Sequence, residues 1–254
     1  MAEPILQVSG LTKRFGGVVA ADAIALDIPR GDFHAVIGPN GAGKTTLIGL
    51  LAGEIAPQRG SIRFDRRDIT RLGVDRRSRL GLARSFQITS LFADFTALDN
   101  VALAVQAHAG HSFRFWKDAR RDAALREPAL RALTDVGLAD RADMRVDRLS
   151  HGEHRQLEIA IALATKPLLL LLDEPMAGLG PEESARMVEM LRKLKGSVSI
   201  LLIEHDMEAV FALADRVTVL VYGRVIACGD PGAIRADAAV REAYLGEQQA
   251  RTHG

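Results

Sequence analysis

The sequence predicts an α/β fold with a mostly parallel sheet, an N-terminal antiparallel β part and an inserted helical subdomain. Three observations support this prediction. A buried strand leads into a glycine-rich loop, and a helix follows the loop directly. In the second half of the chain short apolar strands alternate with helices, which is typical of a parallel sheet. Between residues 90 and 150, segments rich in Ala, Arg and Leu at helical spacing replace the strands.

The N-terminal part alternates in apolar character on both sides of Gly16-Gly17. This pattern predicts an antiparallel hairpin with strands at residues 5–8 and 18–28. A short strand is expected at residues 61–64, and the charged stretch 63–79 is interpreted as a solvated face rather than a nucleic-acid site. The helical subdomain is expected to contain helices at residues 98–107, 116–126 and 128–136.

The core is expected to resume with a helix at residues 151–165 and a strand at 168–172. The strand sequence is an unbroken run of leucines that ends at Asp173, as expected for a strand buried on both faces. The elements that follow are expected to be a helix at 181–194, a strand at 198–203, a helix at 206–214 and strands at 217–221 and 224–227. The chain is expected to be one domain, with a core at 1–89 and 151–230, the helical subdomain at 90–150 and a helical tail at 231–254.

Composition and charge narrow the function classes. The net charge is +1, from 33 basic and 32 acidic residues, so no general affinity for polyanions is implied. The single cysteine, Cys228, excludes an internal disulfide and suits a reducing compartment. The first residues lack the charged and apolar regions of a signal peptide, and no apolar run approaches the ~20 residues of a membrane span. Any membrane connection is therefore expected to go through a partner.

The glycine-rich loop matches the phosphate-binding pattern G-x-x-x-x-G-K-[ST] in full. The expected strand at 32–37 and helix at 46–52 supply the context that this pattern needs. Its glycines let backbone N–H groups turn toward phosphate oxygens, Lys44 adds a cation, and the Thr45 hydroxyl can ligate Mg²⁺. The sequence therefore predicts a P-loop NTPase core. The expected nucleotide contacts are Asn40, Gly41, Ala42, Gly43, Lys44, Thr45 and Thr46.

Two carboxylates follow the buried leucine strand, Asp173 and Glu174. Phosphoryl transfer to water needs a second protein ligand for Mg²⁺ and a group that orients the attacking water. Asp173 is assigned to the metal and Glu174 to the water, because ligands of open α/β sheets bind at the carboxyl ends of the strands. Taken alone, the pair could equally be an acidic cap on a strand. The complete phosphate loop upstream favours catalysis.

These motifs resemble those of the ATP-binding subunits of ABC transporters, and the resemblance covers nearly the whole chain. It implies ATP and Mg²⁺ as cofactors. It also implies that Phe15 stacks on adenine, that Gln87 contacts Mg²⁺ or water, and that His205 contacts the γ-phosphate. On residue type alone, Phe15 would be a core aromatic and a lone histidine would carry no meaning. The order of the motifs along the chain is what gives these residues their expected roles.

Residues 149–153 read Leu-Ser-His-Gly-Glu where this family has L-S-G-G-Q. The resemblance implies that Ser150, Gly152 and Glu153 face a nucleotide held by a second ATPase subunit. His151 and Glu153 depart from the family pattern but leave Ser150 and Gly152 in place. Gly180 stands where many members have an aspartate, which puts the usual contact across the dimer in doubt.

Within the family, four segments resemble the ATPases of branched-chain amino acid importers: residues 81–87, 157–160, 203–207 and 243–246. ATPases of urea and amide importers and of lipopolysaccharide exporters are similar. A soluble ATPase that remodels nucleic acid or ribosomes is the competing class, but those relatives usually carry a second core, coiled coils or basic arms. The resemblance implies integral-membrane permease subunits, a second ATPase subunit that is a copy or a sister, and indirectly a solute-binding protein. It implies no nucleic acid, and a location at the cytoplasmic face of the inner membrane.

Overall fold

The computed structural model describes residues 3–85, 91–109 and 122–243. Its strands are β1 (Pro4–Phe15), β2 (Val18–Pro29), β3 (Phe33–Ile37), β4 (Arg59–Phe64), β5 (Arg67–Asp68), β6 (Leu82–Arg84), β7 (Leu169–Asp173), β8 (Ser199–Ile203), β9 (Arg216–Val221) and β10 (Arg224–Gly229). Its helices are α1 (Lys44–Ala52), α2 (Val74–Arg79), α3 (Ala97–His108), α4 (Ala123–Asp135), α5 (His151–Ala164), α6 (Pro181–Leu194), α7 (Met207–Leu213) and α8 (Pro231–Ala236). No helix within these described ranges is long and apolar enough to span a membrane.

The larger sheet has six strands in the order β10-β9-β3-β8-β7-β6. Its strands run parallel except β10, which pairs with β9 in the antiparallel direction, so the prediction of a mostly parallel sheet is confirmed. Every residue of β3, β7 and β8 is buried, because one face of the sheet shares a core with α1 and the antiparallel sheet, and the other shares a core with helices that include α5 and α6. Val36 of β3 and Asp173 of β7 both pair with Ile203 of β8. The loops that follow these three strands therefore begin at the same edge of the sheet.

The smaller sheet is antiparallel, in the order β2-β1-β4-β5, and confirms the predicted hairpin. Its two long strands extend beyond the predicted bounds, because Phe15 and Val18 still pair across the Gly16-Gly17 turn. Apolar side chains on one face of this sheet share a core with α1, as with Ile5, Leu11 and Leu47. The antiparallel part thus packs directly on the helix that follows the phosphate loop.

Helices α3, α4 and α5 pack together through an apolar core that includes Val101, Leu133 and Leu157. The predicted boundary between helices at 116–126 and 128–136 is wrong in the part that the structure describes. One helix, α4, runs through Pro128, although a proline inside a helix removes a backbone hydrogen bond. The buried face that continues on both sides of Pro128 holds the helix together across it. Residues 116–121 lie outside the described residues.

The interpretation of the charged stretch 63–79 as a solvated face is wrong for Arg77. Its side chain is buried, and its guanidinium donates to the carbonyl oxygens of Leu50 and Leu51 at 2.7 Å each and of Leu72 at 2.7 Å. The last carbonyls of a helix have no partner within it, and a guanidinium with five N–H donors can satisfy several of them. Burial lowers the pKa of Arg77 to about 10. Arg77 therefore stabilises the carboxyl end of α1.

Candidate nucleotide and hydrolysis site

The loop between β3 and α1 is held closely between two strands. A Cβ atom at Gly38 would lie 2.0 Å from the carbonyl oxygen of Leu220, and one at Gly43 would lie 2.2 Å from that of Ala20. Gly43 also has a φ of 101°, in the left-handed region that favours glycine. Any larger residue at either position would clash with the neighbouring strand, so the path of the loop requires both glycines. The backbone is thereby fixed close to the start of α1.

The first turn of α1 faces this loop. Gly43 is the N-cap and has no side chain to occupy the free N–H groups of the first turn, which is where helices bind anions. Lys44 is buried, and its Nζ donates to the carbonyl oxygens of Gly38 at 2.6 Å and Pro39 at 3.0 Å. Backbone donors and one ammonium group are thus concentrated at the same place. That arrangement is suited to phosphate oxygens.

A turn between β9 and β10 supports the loop from one side. The N–H of Gly223 donates to the carbonyl of Ala42 at 2.8 Å, and the carbonyl of Gly223 accepts from the N–H of Asp22 at 2.8 Å. Arg224 then pairs with the Asp22 carboxylate at 2.6 Å. This turn ties the phosphate loop to the antiparallel sheet. Sequence reasoning missed it, since no local pattern shows which distant strands will meet.

Asp173 is buried at the end of β7. The Arg84 guanidinium donates to its Oδ2 at 3.0 Å and also pairs with Glu54. Burial raises the pKa of Asp173, and the attraction of Arg84 only partly opposes that rise. Sequence reasoning missed Arg84 as a partner of Asp173. Arg84 is the last residue of β6, a strand that the sequence analysis did not predict.

The donor set at this edge fits Mg²⁺. The ion binds hydroxyl and carboxylate oxygens and keeps only one or two carboxylates when it is bound together with phosphates. Thr45, in the first turn of α1, is exposed, and Asp173 supplies a carboxylate from β7. Across the described part of the chain, no group of three or more His, Cys, Asp or Glu side chains could hold a metal. Thr45 and Asp173 offer the hydroxyl and the single carboxylate that such an ion can take beside phosphates.

Glu174 has a backbone conformation that non-glycine residues seldom adopt, with a φ of 48°. Its N–H donates to the carbonyl of Ile203 at 2.9 Å, which fixes it against the end of β8. The Nδ1 atom of His205 lies 4.0 Å from the Glu174 carboxylate, and the His205 side chain is 63% exposed. Strained residues held by surrounding structure cluster at functional sites. The structure thus brings these two predicted catalytic residues together.

Ser150 is the N-cap of α5, and its Oγ accepts from the N–H of Glu153 at 3.2 Å. In return the Glu153 carboxylate accepts from the N–H of Ser150 at 2.8 Å, and Arg141 donates to it at 3.0 Å. Burial would raise the pKa of Glu153, but the Ser150 N–H and the Arg141 guanidinium together hold it below its ordinary value. The Glu153 side chain is thus engaged with its own helix. The Ser150 hydroxyl can still donate its proton outward.

Two predicted site residues remain, Phe15 and Gln87. Phe15 is 49% exposed at the end of β1, with the Lys13 ammonium 5.2 Å from its ring centre, so it is not a core aromatic. Phe15 pairs with Val18 of β2. Ala20, two residues further along β2, contacts the phosphate loop at Gly43. Gln87 lies outside the described residues.

Comparisons with known proteins show which family this chain is similar to. The sequence model of the family described as ABC transporter matches residues 21–177, and that of the branched-chain amino acid ATP-binding cassette transporter matches residues 224–250. The high-affinity branched-chain amino acid transport ATP-binding protein BraF of Pseudomonas aeruginosa is 39% identical over 97% of this chain and 100% of its own length. LivG of Escherichia coli, which carries the same description, is 37% identical over 97% and 100%.

Solved structures show the same fold. The crystal structure of the ADP conformation of an ATP-binding cassette of an ABC transporter has a TM-score of 0.85 and 29% sequence identity. The match covers 96% of this chain and 99% of that one. The similarity therefore extends over both sheets and the helical region, and is not confined to the phosphate loop.

Proposed function

Because the chain belongs to the ABC transporter family and is an ATPase, we propose that it energises the import of branched-chain or related hydrophobic amino acids. The relatives BraF and LivG, both named for branched-chain amino acid transport, support this substrate class, as does the match at residues 224–250. The observation that carries the ATP-hydrolysing part of the proposal is the convergence of the phosphate loop, Asp173, Glu174 and His205 at one edge of the larger sheet.

In this proposal the phosphate loop binds ATP. The backbone N–H groups of residues 40–46 and the Lys44 ammonium contact the phosphates, and Phe15 stacks on the adenine. Thr45 and Asp173 would hold Mg²⁺, which when bound neutralises charge that develops on the phosphate oxygens. Arg84 contacts Oδ2 of Asp173, so the ion would share this carboxylate with the Arg84 guanidinium. Gln87 is proposed as a further ligand from the segment that follows β6.

Hydrolysis is proposed to depend on Glu174 and His205. The Glu174 carboxylate orients a water molecule for attack on the γ-phosphate and accepts its proton as the new bond forms, while the bond from the γ-phosphorus to the bridging oxygen breaks and ADP leaves. His205 contacts the γ-phosphate from the neighbouring strand end. The short separation of the two side chains supports this pairing of roles. The backbone of each residue is fixed by a hydrogen bond: the N–H of Glu174 donates to the Ile203 carbonyl at the end of β8, and that of His205 donates to the Glu204 carboxylate.

A second ATPase subunit is proposed to complete the site. Ser150 and Gly152, at the N-terminus of α5, would contact the nucleotide held by the loop of a partner that is a second copy or a sister chain. A cavity of about 590 Å³ opens beside Ser150 and Gly152 and leaves room for such a ligand. Closure of the pair is then favoured by ATP, since the γ-phosphate would have ligands on both sides.

Coupling to transport is proposed to use a surface beside Arg84. A small, mostly apolar groove lies there, with a volume of about 100 Å³, lined by Ala52, Val74, Ala83 and Ile161 among others. We assign this groove to a permease subunit at the cytoplasmic face of the inner membrane, with a solute-binding protein acting through that permease. A permease segment bound in this groove would move with the subunit when the ATPase pair closes, and would thereby transmit the movement to the membrane.

Uptake measurements test the proposal. Labelled leucine should enter proteoliposomes that contain the permease, the solute-binding protein and this ATPase, and Glu174→Gln should reduce the uptake at least about 100-fold. Labelled urea in the same preparation is the matched control for the alternative importer class. Uptake of urea without uptake of leucine would overturn the substrate assignment. Leucine uptake that is unaffected by Glu174→Gln would overturn the catalytic assignment.

A further inference from the structure

A fully buried carboxylate lies directly beside the hydrolysis site and has no role in the mechanism above. Glu204 follows the last residue of β8 and precedes His205. The Glu204 side chain is completely buried, whereas that of His205 is 63% exposed. Glutamate is almost never fully buried unless it is paired or hydrogen-bonded. The partners of Glu204 therefore indicate what it contributes.

The Glu204 carboxylate joins two loops. Its Oε1 accepts from the N–H of Met176 at 2.9 Å, and its Oε2 accepts from the N–H groups of His205 at 2.9 Å and Asp206 at 3.4 Å. Met176 belongs to the loop that follows Glu174, and His205 belongs to the loop between β8 and α7. A single side chain thus spans the backbones that carry the two proposed catalytic groups.

The loop that begins at Glu174 needs such support. Glu174 itself has a positive φ, which persists only where surrounding structure holds it. Its own N–H is bonded to the carbonyl of Ile203, one residue before Glu204. Together the two contacts attach both ends of the segment from Glu174 to Met176 to the end of β8. Loss of either contact would let this strained segment relax.

We propose that Glu204 is a positioning residue for ATP hydrolysis. Its carboxylate holds the backbone of His205 and the loop after Glu174 at a fixed separation, so that the histidine and the glutamate face the same γ-phosphate. It acts without contacting the nucleotide. This inference rests on the roles proposed above for Glu174 and His205. It adds a third residue, Glu204, which positions the other two.

A carboxylate is the side chain that suits this position. Three N–H donors point at two oxygens, and both oxygens must accept. The amide of glutamine has one accepting oxygen, and its NH₂ group would face an N–H at the other end. Glu204→Gln preserves the size of the side chain but satisfies only one of the two loops. A defect in this variant therefore reports on the link between the loops rather than on lost packing.

The test compares Glu204→Gln with Glu208→Gln, a change of the same kind on the exposed side of α7. We expect kcat for ATP hydrolysis to fall about 10- to 100-fold in Glu204→Gln, with the Kd for a fluorescent ATP analogue within about threefold of the wild type. Glu208→Gln should match the wild type in both. Turnover of Glu204→Gln within twofold of the wild type would overturn the proposal.

A double-mutant cycle separates positioning from a general structural effect. Because Glu204 is proposed to set the separation of His205 from Glu174, the combined loss in Glu204→Gln with His205→Ala should be clearly smaller than the product of the two single losses. Losses that multiply would contradict the proposal. Glu204→Asp keeps both oxygens but withdraws them by one methylene, so its kcat should lie between those of the wild type and Glu204→Gln. It also serves if Glu204→Gln fails to fold, and full activity in Glu204→Asp would then overturn the proposal.

Failure of this proposal can be told from failure of the proposed function. A wild-type protein that binds and hydrolyses ATP, in which Glu174→Gln is inactive and Glu204→Gln is normal, would remove only the role of Glu204. A Glu174→Gln protein with normal turnover would instead remove the catalytic assignment on which the inference rests.

Discussion

Substitutions of two residues, Lys44 and Glu174, are expected to affect ATP binding and ATP hydrolysis differently. Lys44→Ala removes the ammonium group held inside the phosphate loop, so the affinity for ATP should fall at least about 100-fold. Glu174→Gln leaves Lys44, Thr45 and Asp173 in place, so binding should be kept while turnover is lost. Fluorescent-nucleotide binding and phosphate release check both variants. Normal hydrolysis by Glu174→Gln would remove Glu174 from the mechanism.

Glu153 gives a pH dependence whose sign follows from its contacts. Its pKa in the folded protein lies below the ordinary value of 4.5, because the Ser150 N–H and the Arg141 guanidinium outweigh the effect of burial. The stabilisation is therefore complete above about pH 4.5 and is lost as the pH falls through the folded pKa. We expect Glu153→Gln to lower the free energy of unfolding by about 0.5–1 kcal/mol near neutral pH.

Urea denaturation of the wild type and of Glu153→Gln, at a series of pH values, measures this difference. It should shrink toward zero as the solution becomes more acidic than the ordinary glutamate pKa. Glu182→Gln is the matched control, because Glu182 also lies in the first turn of a helix but is almost fully exposed. A difference that grows on acidification would contradict the assigned sign.

Among the single elements, helix α6 begins at the position where this chain has Gly180 and many family members have an aspartate. Gly180 is the N-cap of α6, its φ is −71°, and a Cβ atom there would meet nothing within 4 Å. An aspartate would therefore fit without strain, and its carboxylate could accept from the first turn of the helix. We expect Gly180→Asp to raise the free energy of unfolding by a few tenths of a kcal/mol, and Gly180→Ala to lower it.

Thermal unfolding of both Gly180 variants is the measurement. Their common backbone position makes alanine the control for the loss of glycine flexibility, and aspartate the test of the cap. A destabilised Gly180→Asp would show that the N-cap geometry is not the relevant feature. A higher ATPase rate in Gly180→Asp would show that the family aspartate also acts across the pair of subunits.

At the scale of the whole molecule, ATP is expected to control association. In the Glu174→Gln background the nucleotide is not cleaved, so ATP should convert monomers to dimers. Ser150→Arg should block association by placing a bulky side chain at the N-terminus of α5, while each loop still binds ATP. Light scattering with and without ATP decides between the outcomes. If the chain natively pairs with a sister, the same behaviour is expected for the mixture of the two.

Much of the fold could be predicted because its signals are local. Strand β7 is a run of leucines, the phosphate loop carries its glycines and lysine in fixed order, and the helices show a repeating apolar face. The bounds of α4 could not be predicted, because packing against α3 and α5 outweighs the effect of Pro128. Local preference indicates a break at a proline, and only the neighbouring helices decide whether it occurs.

Local sequence is enough to predict the phosphate loop, the two carboxylates after β7 and the order of motifs that places the chain in its family. These features depend on residues that are adjacent along the chain. Which distant groups meet is visible only in the folded chain: Arg84 with Asp173, Arg77 with the end of α1, and Glu204 with the loop after Glu174. A buried charge is stable only where partners surround it, and the folded chain alone brings those partners together.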